Sequence, residues 1–256
     1  MLLLTNDDGI NAPGLAAMHN ALADLDDILV VAPDIEQSGV AHSITLHVPL
    51  RVRKVHRDGR LFGYAVNGSP ADCVKLAMCE LLKTKPDAVI SGINCGANTG
   101  VSVLYSGTVA GAFEGAMFGL PSFAFSLDYR ENLEFSDAAR VVRDVFTLFR
   151  HETLAPGALL NVNIPALAAE KMKGVMITRM CRAPFIERFE KRTDPRGNAY
   201  YWITGAIENA DRTGETDIAA LENGYVSVTP LHYDLTEYDV AEALGGLGAI
   251  RAAQTS

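Results

Sequence analysis

Short apolar runs alternate with segments of helical period along the first two thirds of the chain. Several of these runs are apolar at nearly every position, which is typical of strands in a parallel sheet that helices cover on both faces. The runs predict strands at residues 2–5, 27–32, 87–91, 122–127 and 159–163. The segments between them predict helices at residues 13–25, 70–82, 108–118 and 135–150. This rhythm predicts an α/β protein with a mostly parallel central sheet between two helical layers.

Two stretches depart from this rhythm and predict antiparallel structure. Within residues 43–66, apolar and polar positions alternate ahead of a turn at Asp58-Gly59, which indicates a small β insertion. Residues 178–204 alternate around Asp194-Pro-Arg-Gly197, which indicates a long protruding hairpin. Such a hairpin has little to bury against within one subunit, so we expect it to pair with another subunit. A strand at residues 225–229 and a helix at residues 237–244 complete the prediction.

Composition and charge exclude several classes of protein. The 256 residues are 48% apolar and 21% charged, which is ordinary for a globular protein and excludes disordered and collagen-like chains. The 22 basic and 31 acidic residues give a net charge of −9, which disfavours duplex nucleic acid and anionic membranes as partners. The four cysteines form no C-x-x-C pair and the N-terminus lacks a signal-peptide pattern, so we expect free thiols and a cytoplasmic location.

Candidate chemistry begins with Asn6-Asp7-Asp8-Gly9, directly after the first predicted strand. Ligands of open parallel sheets gather at the carboxyl ends of the strands, so polar residues there are candidates for a site. Asn, Asp and Gly are also common turn residues, and a plain βα turn is the alternative interpretation. However, two adjacent carboxylates in a partly desolvated site repel each other, and a divalent cation is the simplest way to remove that repulsion.

Two further loops carry candidate ligands. The loop after the second strand contains Ser38-Gly39, for which a flexible turn is the alternative interpretation. The third loop, residues 91–100, is long and rich in glycine, and such loops in compact domains are usually functional. Asp7, Asp8, Ser38 and the side-chain carbonyl of Asn94 would form an all-oxygen site suited to Mg²⁺ or Mn²⁺ rather than Zn²⁺.

The helix predicted to begin near Thr108 offers a phosphate site. Its first N–H groups are free and carry partial positive charge, and the hydroxyls of Ser106 and Thr108 lie beside them in the sequence. The surrounding residues match neither a Walker A loop nor the dinucleotide motif G-x-G-x-x-G, so we expect the phosphate to belong to a substrate. Helix capping is the alternative role for both hydroxyls, and it is compatible with anion binding.

Together these residues predict metal-assisted hydrolysis of a phosphate ester. The cation would polarise the phosphoryl oxygens and lower the pKa of a water molecule, while the helix N-terminus and Asn98 would stabilise charge on the transferred group. Asp7 and Asp8 are the candidate catalytic carboxylates. Asp7 is favoured as the general base, although the residues alone do not decide between the two.

At these residues the sequence resembles the survival protein SurE family. The motifs that carry the resemblance occur in order along nearly the whole chain, and the ordered set is far more specific than any one of them. They are Leu4-Thr-Asn-Asp-Asp-Gly9, Ala32-Pro33 with Ser38-Gly39, Gly68-Ser-Pro-Ala-Asp-Cys-Val74, Ser91-Gly-Ile-Asn-Cys-Gly96, Tyr105-Ser-Gly-Thr-Val109, Thr193-Asp-Pro-Arg-Gly197, Tyr200-Tyr-Trp202 and Gly224-Tyr-Val-Ser-Val-Thr-Pro230.

The resemblance implies a metal-dependent phosphatase that acts on nucleoside monophosphates at the 5′ or 3′ phosphate, with some members also cleaving short polyphosphate. It implies a Rossmann-like catalytic domain, residues 1–177 with the β insertion at 43–66, and a C-terminal hairpin and tail, residues 178–256, that builds oligomers. The family's metal ligands fall on the same four residues deduced above. Its phosphate contacts fall on Asn98, Ser106, Gly107 and Thr108.

The sequence departs from the family pattern away from the proposed metal ligands. Ser69 stands where threonine is common, Met180-Cys181 where small or polar residues are more usual, and the hairpin before Asp194 is divergent. The first change keeps a hydroxyl, and the others bear on subunit contacts. We therefore expect an active enzyme.

Two other functions compete with this interpretation. A haloacid-dehalogenase-type phosphatase forms an aspartyl-phosphate, but it needs a D-x-D spacing, whereas Asp7 and Asp8 are adjacent. A non-catalytic nucleotide-binding or regulatory module would explain the glycine-rich loop but not a carboxylate pair facing a phosphate.

His42 lies near the second loop, where a single histidine is more often a packing or surface residue.

Overall fold

The computed structural model describes residues 1–128, 134–152, 154–207, 211 and 213–248. The strands are β1 (Leu2–Thr5), β2 (Ile28–Pro33), β3 (Val52–Arg57), β4 (Arg60–Val66), β5 (Ala88–Cys95), β6 (Ser122–Leu127), β7 (Ala158–Ile164), β8 (Val175–Ile177), β9 (Phe185–Thr193), β10 (Ala199–Ile207) and β11 (Val226–His232). The α-helices are α1 (Pro13–Leu22), α2 (Pro70–Leu76), α3 (Gly107–Met117), α4 (Phe135–Phe149), α5 (Asp217–Glu222) and α6 (Tyr238–Ala243). A π-helical turn (Ala77–Leu81) and two 3₁₀ segments (Gly100–Tyr105 and Ala169–Lys171) complete the elements.

Nine strands form one sheet in the order β3-β4-β2-β1-β5-β6-β7-β11-β8. The contiguous block β4-β2-β1-β5-β6-β7 is parallel throughout, whereas β3 pairs antiparallel with β4 and β11 pairs antiparallel with β7. The predicted mostly parallel α/β sheet is therefore confirmed. Its carboxyl edge collects the ends of β1, β2 and β5, where the candidate site lies.

Helices cover both faces of the sheet and give three layers. On one face α1 and α4 pack together over a core that includes Leu4, Met18 and Phe146. On the other face α2 and α3 pack together, with Cys73 and Val109 buried against the strands. No helix among the described residues is long and apolar enough to cross a membrane.

Helix α3 lies unusually close to the sheet because glycine recurs on its inner face. Gly107, Gly111 and Gly115 are spaced four residues apart, so they lie on one side of the helix. A Cβ at Gly111 would lie 2.9 Å from Cγ2 of Thr5, and one at Gly115 would lie 2.5 Å from Cβ of Val89. The helix backbone therefore packs directly against β5 and β6 and against Thr5 at the end of β1.

The predicted boundaries hold to within a few residues for most elements, with two informative differences. Helix α2 begins at Pro70 behind a capping box formed by Ser69 and Asp72, but its α-helical part ends at Leu76 and a π-helical turn follows. The β insertion predicted at 43–66 contains the antiparallel pair β3 and β4, and it also joins the main sheet, because β4 pairs in parallel with β2.

The predicted C-terminal hairpin is present as β9 and β10, which form their own two-stranded sheet. The pair is antiparallel over nine residues of each strand and turns at residues 194–197. Its apolar side chains are largely exposed, including Phe189, Tyr201, Trp202 and Ile203. This surface has no counterpart to pack against among the described residues of one subunit.

Candidate active site

Three loops converge at the carboxyl edge of β1, β2 and β5. The main-chain N–H of Gln37, in the loop after β2, donates to the carbonyl oxygen of Asp7 over 2.7 Å. Gly9 has a φ of +96°, and a Cβ there would lie 3.3 Å from the main chain of Ile35, so glycine lets the two loops approach. The main-chain N–H of Cys95 bonds to the carboxylate of Asp8. The first, second and third predicted loops are thus neighbours.

Asp7 is buried and is held at the N-terminus of α3. The N–H of Thr108 donates to its Oδ2 over 3.0 Å, and the hydroxyl of Thr108 donates to its Oδ1. Gly107 makes this possible, because a Cβ there would lie 2.8 Å from Cβ of Asp7. Burial raises the pKa of Asp7 above its ordinary value, although the bonds from Thr108 oppose that effect. The carboxylate is therefore desolvated and fixed in direction.

Asp8 is only partly buried and stands beside Asp7. Burial, followed by the negative charge of Asp7, raises the pKa of Asp8 to about 6, while the bond from Cys95 lowers it and the charge of Glu36 adds a smaller rise. Neither Asp7 nor Asp8 forms an ion pair with a lysine or arginine among the residues described. Two carboxylates thus share a confined space without a compensating cationic side chain.

Glu36 is a third acidic side chain at this edge, and the sequence interpretation did not include it. It acts on both Asp7 and Asp8 through its negative charge. The hydroxyl of Ser38 donates to Oε1 of Glu36 over 2.6 Å, so the loop orients its own serine. The sequence signal available for Glu36 was its position two residues before the candidate ligand Ser38.

The donor chemistry of these residues fits a hard divalent cation. Asn94 lies at the end of β5, not in the predicted loop, and its Nδ2 donates to the carbonyl of Gly96 over 2.7 Å, so its Oδ1 is the atom left for a ligand. Within the described ranges no three His, Cys, Asp or Glu side chains are grouped to hold a metal. This absence is consistent with a site in which two carboxylates are completed by neutral oxygens, such as those of Ser38 and Asn94.

The predicted phosphate contacts fall into two groups. Ser106 is the N-cap of α3 and accepts a bond from the N–H of Val109 over 3.1 Å, so the expected capping role is present. Gly107 occupies the first helical position, where the N–H has no intrahelical acceptor. Both donors of Thr108 point at Asp7. The contacts of Asn98 are with β6 and β7 instead: it is buried, and its Nδ2 donates to Oγ of Ser126 over 2.9 Å.

His42 belongs to a partly buried cluster that anchors the Ser38 loop. Its Nε2 lies 2.7 Å from Oε1 of Glu114, a carboxylate on α3 that is 2% exposed, and Nζ of Lys75 lies 2.7 Å from the other oxygen. The imidazole ring also stacks on Phe113. His42 is therefore a packing residue with a specific partner, which the sequence could not reveal because 72 positions separate it from Glu114.

A cavity of about 680 Å³ opens beside Asn98. Ala97 and Thr99, which flank Asn98, belong to its wall, together with Ala166 and Leu221. The volume lies within the range of small-molecule sites, and the wall mixes apolar and polar groups. The edge of the sheet thus offers a carboxylate site and an adjoining cavity.

Comparisons with known proteins give the same family as the sequence motifs. Residues 2–187 match the family model described as survival protein SurE. Two similar proteins are named 5′-nucleotidase SurE, one from Syntrophobacter fumaroxidans and one from Moorella thermoacetica, and each is 48% identical to this chain. Each alignment covers 95% of this chain, and the alignments cover 98% of the first protein and 94% of the second. The crystal structure of the SurE protein from Aquifex aeolicus superposes with a TM-score of 0.83 at 45% identity, covering 95% of this chain and 97% of that one. The chain belongs to the survival protein SurE family.

Proposed function

We propose that this chain is a 5′-nucleotidase that hydrolyses the phosphate ester of nucleoside monophosphates with the help of a divalent cation held by Asp7, Asp8, Ser38 and Asn94. The observation that carries the proposal is the pair of adjacent carboxylates at the carboxyl edge of the sheet, of which one is buried and neither has a cationic partner among the described residues. The relatives named 5′-nucleotidase SurE support the choice of reaction and substrate.

A bound divalent cation would supply Lewis-acid polarisation of the phosphoryl oxygens and a water molecule of lowered pKa. Thr108 orients Asp7 by donating to both of its oxygens, so this carboxylate is available as a fixed ligand. Asp8 is less constrained and more exposed. We assign the proton-accepting role to Asp8, whereas the sequence alone favoured Asp7.

The N-terminus of α3 and Asn98 would bind the phosphate. The N–H of Gly107 is free of an intrahelical acceptor, and the hydroxyl of Ser106 keeps its proton for a ligand because the oxygen only accepts from Val109. One amide hydrogen of Asn98 is used by Ser126, which leaves the other for a phosphoryl oxygen. Thr108 acts chiefly through Asp7 in this arrangement. These donors would stabilise charge on the transferred group.

The nucleoside would occupy the cavity next to Asn98, because the flanking residues Ala97 and Thr99 form part of the cavity wall. This placement puts the ester bond between the cavity and the carboxylate pair. The proposal extends to the 3′ monophosphates and short polyphosphate that the family resemblance implies, with Mg²⁺ or Mn²⁺ as the cation. The exposed apolar side chains of the β9–β10 hairpin support a homodimer or homotetramer built through that hairpin.

The test is phosphate release from a panel of nucleoside monophosphates by purified protein with Mg²⁺, Mn²⁺ or excess chelator. Asp8→Asn should abolish release without changing the circular dichroism spectrum or the melting temperature by more than a few degrees. Asp34→Asn, at an exposed acid in the second loop, is the matched control and should retain activity. Release that survives both chelation and Asp8→Asn would place the catalytic site elsewhere in the molecule.

A further inference from the structure

Strand β7 carries two asparagines in the interior of the sheet. Asn161 and Asn163 are both fully buried, and because they are two residues apart they point to the same face. The alternate positions Leu160, Val162 and Ile164 are apolar and pack into the core on the opposite face. Burying a primary amide is costly unless its hydrogen bonds are made, so these two side chains need a specific explanation.

Both asparagines bind the main chain of Asn98. Nδ2 of Asn161 donates to the carbonyl oxygen of Asn98 over 2.8 Å, and Nδ2 of Asn163 donates to the same oxygen over 3.1 Å. In return, the N–H of Asn98 donates to Oδ1 of Asn163 over 2.7 Å. The side chain of Asn98 also donates to Ser126 on β6. Only the side-chain oxygen and the second side-chain hydrogen of Asn98 take no part in these bonds.

The same segment is anchored a second time two residues later. Asp217, at the start of α5, is fully buried, and its Oδ2 accepts the N–H of Gly100 over 2.7 Å. Its Oδ1 accepts the N–H of Cys181 over 2.9 Å, which joins the segment to the beginning of the C-terminal part. Residues 96–99 have no helix or strand of their own, so side chains from β6, β7 and α5 set their position.

One oxygen in this network is left over. Oδ1 of Asn161 is buried and has no hydrogen-bond partner among the described residues. An unpaired buried amide oxygen lowers stability, so stability alone would not favour an asparagine at position 161. The hydrogen bond that its side chain does make is to Asn98, which indicates that the gain lies in fixing that residue.

We propose that Asn161 and Asn163 are positioning residues that aim Asn98 at the phosphate of the substrate. The inference rests on the proposed function, in which Asn98 is a phosphate contact. A loop that is already held in its binding geometry does not have to be ordered when the substrate arrives, and the charge that develops on the phosphoryl group meets a fixed donor. The two asparagines would therefore act on catalysis without touching the substrate.

The experiment compares Asn163→Ala and Asn161→Ala with Thr178→Val as a matched control. Thr178 bonds to Ser227 and Thr229 over 2.7 Å each, so its replacement also removes two buried hydrogen bonds, on the strand that pairs with β7, but none to Asn98. The measurements are kcat and KM for a nucleoside monophosphate, the inhibition constant of inorganic phosphate, and the melting temperature. Asn161→Ala removes a single bond, and it serves if Asn163→Ala does not fold.

Asn163→Ala should lower kcat/KM by about ten- to a hundredfold, as a displacement of up to 1 Å predicts, and weaken inhibition by phosphate. Asn161→Ala should have a smaller effect of the same kind. Thr178→Val should lower the melting temperature comparably but leave both kinetic constants within about twofold. If the asparagine variants lose no more activity than Thr178→Val, the positioning role is overturned.

Asn98→Ala separates this inference from the proposed function. If Asn98→Ala keeps full activity, Asn98 is not a phosphate contact and that part of the proposed function fails. If Asn98→Ala is impaired, the double variant Asn98→Ala/Asn163→Ala decides the mechanism. Positioning through Asn98 requires that Asn163→Ala has little further effect in that background. Fully additive losses would show that Asn163 acts independently of the Asn98 side chain and would overturn the inference.

Discussion

Replacing Glu114 by glutamine tests the anchor of the Ser38 loop. Glu114 is 2% exposed; its Oε1 lies 2.7 Å from Nε2 of His42, and its Oε2 forms an ion pair with Nζ of Lys75 at 2.7 Å. Glutamine has nearly the same shape, but it is neutral and offers only one oxygen. The amide oxygen can face only one of the two partners, so one interaction loses its acceptor and the other keeps a neutral acceptor in place of a charged one.

The cost can be worked out from these contacts. Hydrogen bonds to charged groups contribute about 1.5–3 kcal/mol and neutral ones about 0.5–1.5 kcal/mol. His42 and Lys75 are 33% and 44% exposed, so solvent screens both pairs and the lower part of the range applies. We expect Glu114→Gln to reduce the free energy of unfolding by about 1–2 kcal/mol at pH 7. For a chain of this size that corresponds to a fall in melting temperature of about 2–8 °C.

The pH dependence gives the prediction its sign. Burial alone would raise the pKa of Glu114, but the bonds from His42 and Lys75 outweigh it and hold the pKa below its ordinary value of 4.5. A carboxylate with a lowered pKa contributes stability above its unfolded pKa and loses it as the pH falls through the folded value. The difference between the unaltered protein and Glu114→Gln should therefore be full at pH 6–7 and shrink below about pH 4.5.

Thermal unfolding followed by circular dichroism between pH 3.5 and pH 7 is the assay. Glu80→Gln, at an exposed acid on the neighbouring π-helical turn, is the control and should unfold like the unaltered protein at every pH. Equal melting temperatures for Glu114→Gln and the unaltered protein at pH 7 would refute the reasoning. A difference that grew on acidification would refute it as well.

Three further outcomes are expected. Gly107→Ala places a Cβ 2.8 Å from Cβ of Asp7, so it should lower kcat by about tenfold or more with a small change in melting temperature, measured by steady-state kinetics and calorimetry. Ala166→Trp should fill part of the cavity beside Asn98 and raise KM for nucleoside monophosphates about tenfold, while turnover of a small aryl phosphate stays within about twofold. Ile203→Lys, opposite Phe189 on the exposed hairpin, should shift the protein to a smaller species in light scattering, and an unchanged mass would exclude this face as a subunit contact.

Local pattern was sufficient to predict the βα part of the fold. The apolar runs at β1 and β6 predict these strands to the residue, and the predicted helix start at residue 70 is the observed start of α2. The order of strands depends on tertiary pairing, so β8, which is three residues long, and the antiparallel pairing of β11 with β7 were not foreseen. Short elements carry too few residues for a periodic signal.

The candidate site divides in the same way. Asp7 and Asp8 were identified because adjacent carboxylates at a strand end have an electrostatic consequence that the sequence alone displays. The bond of Asn163 to Asn98 joins residues 65 positions apart, and nothing in the local sequence signals it. The orientation of Asp7 by Thr108 spans 101 positions and became evident only from the docked helix.

The glycine face of α3 has a consequence for how the site forms. Each glycine weakens a helix by roughly 0.5–1 kcal/mol relative to alanine, so Gly107, Gly111 and Gly115 together make α3 a poor helix by itself. Its stability must come from packing against β5, β6 and the end of β1. A partly folded chain would therefore lack the helix N-terminus that we propose binds phosphate, and that part of the proposed site would form in the same cooperative step that completes the sheet.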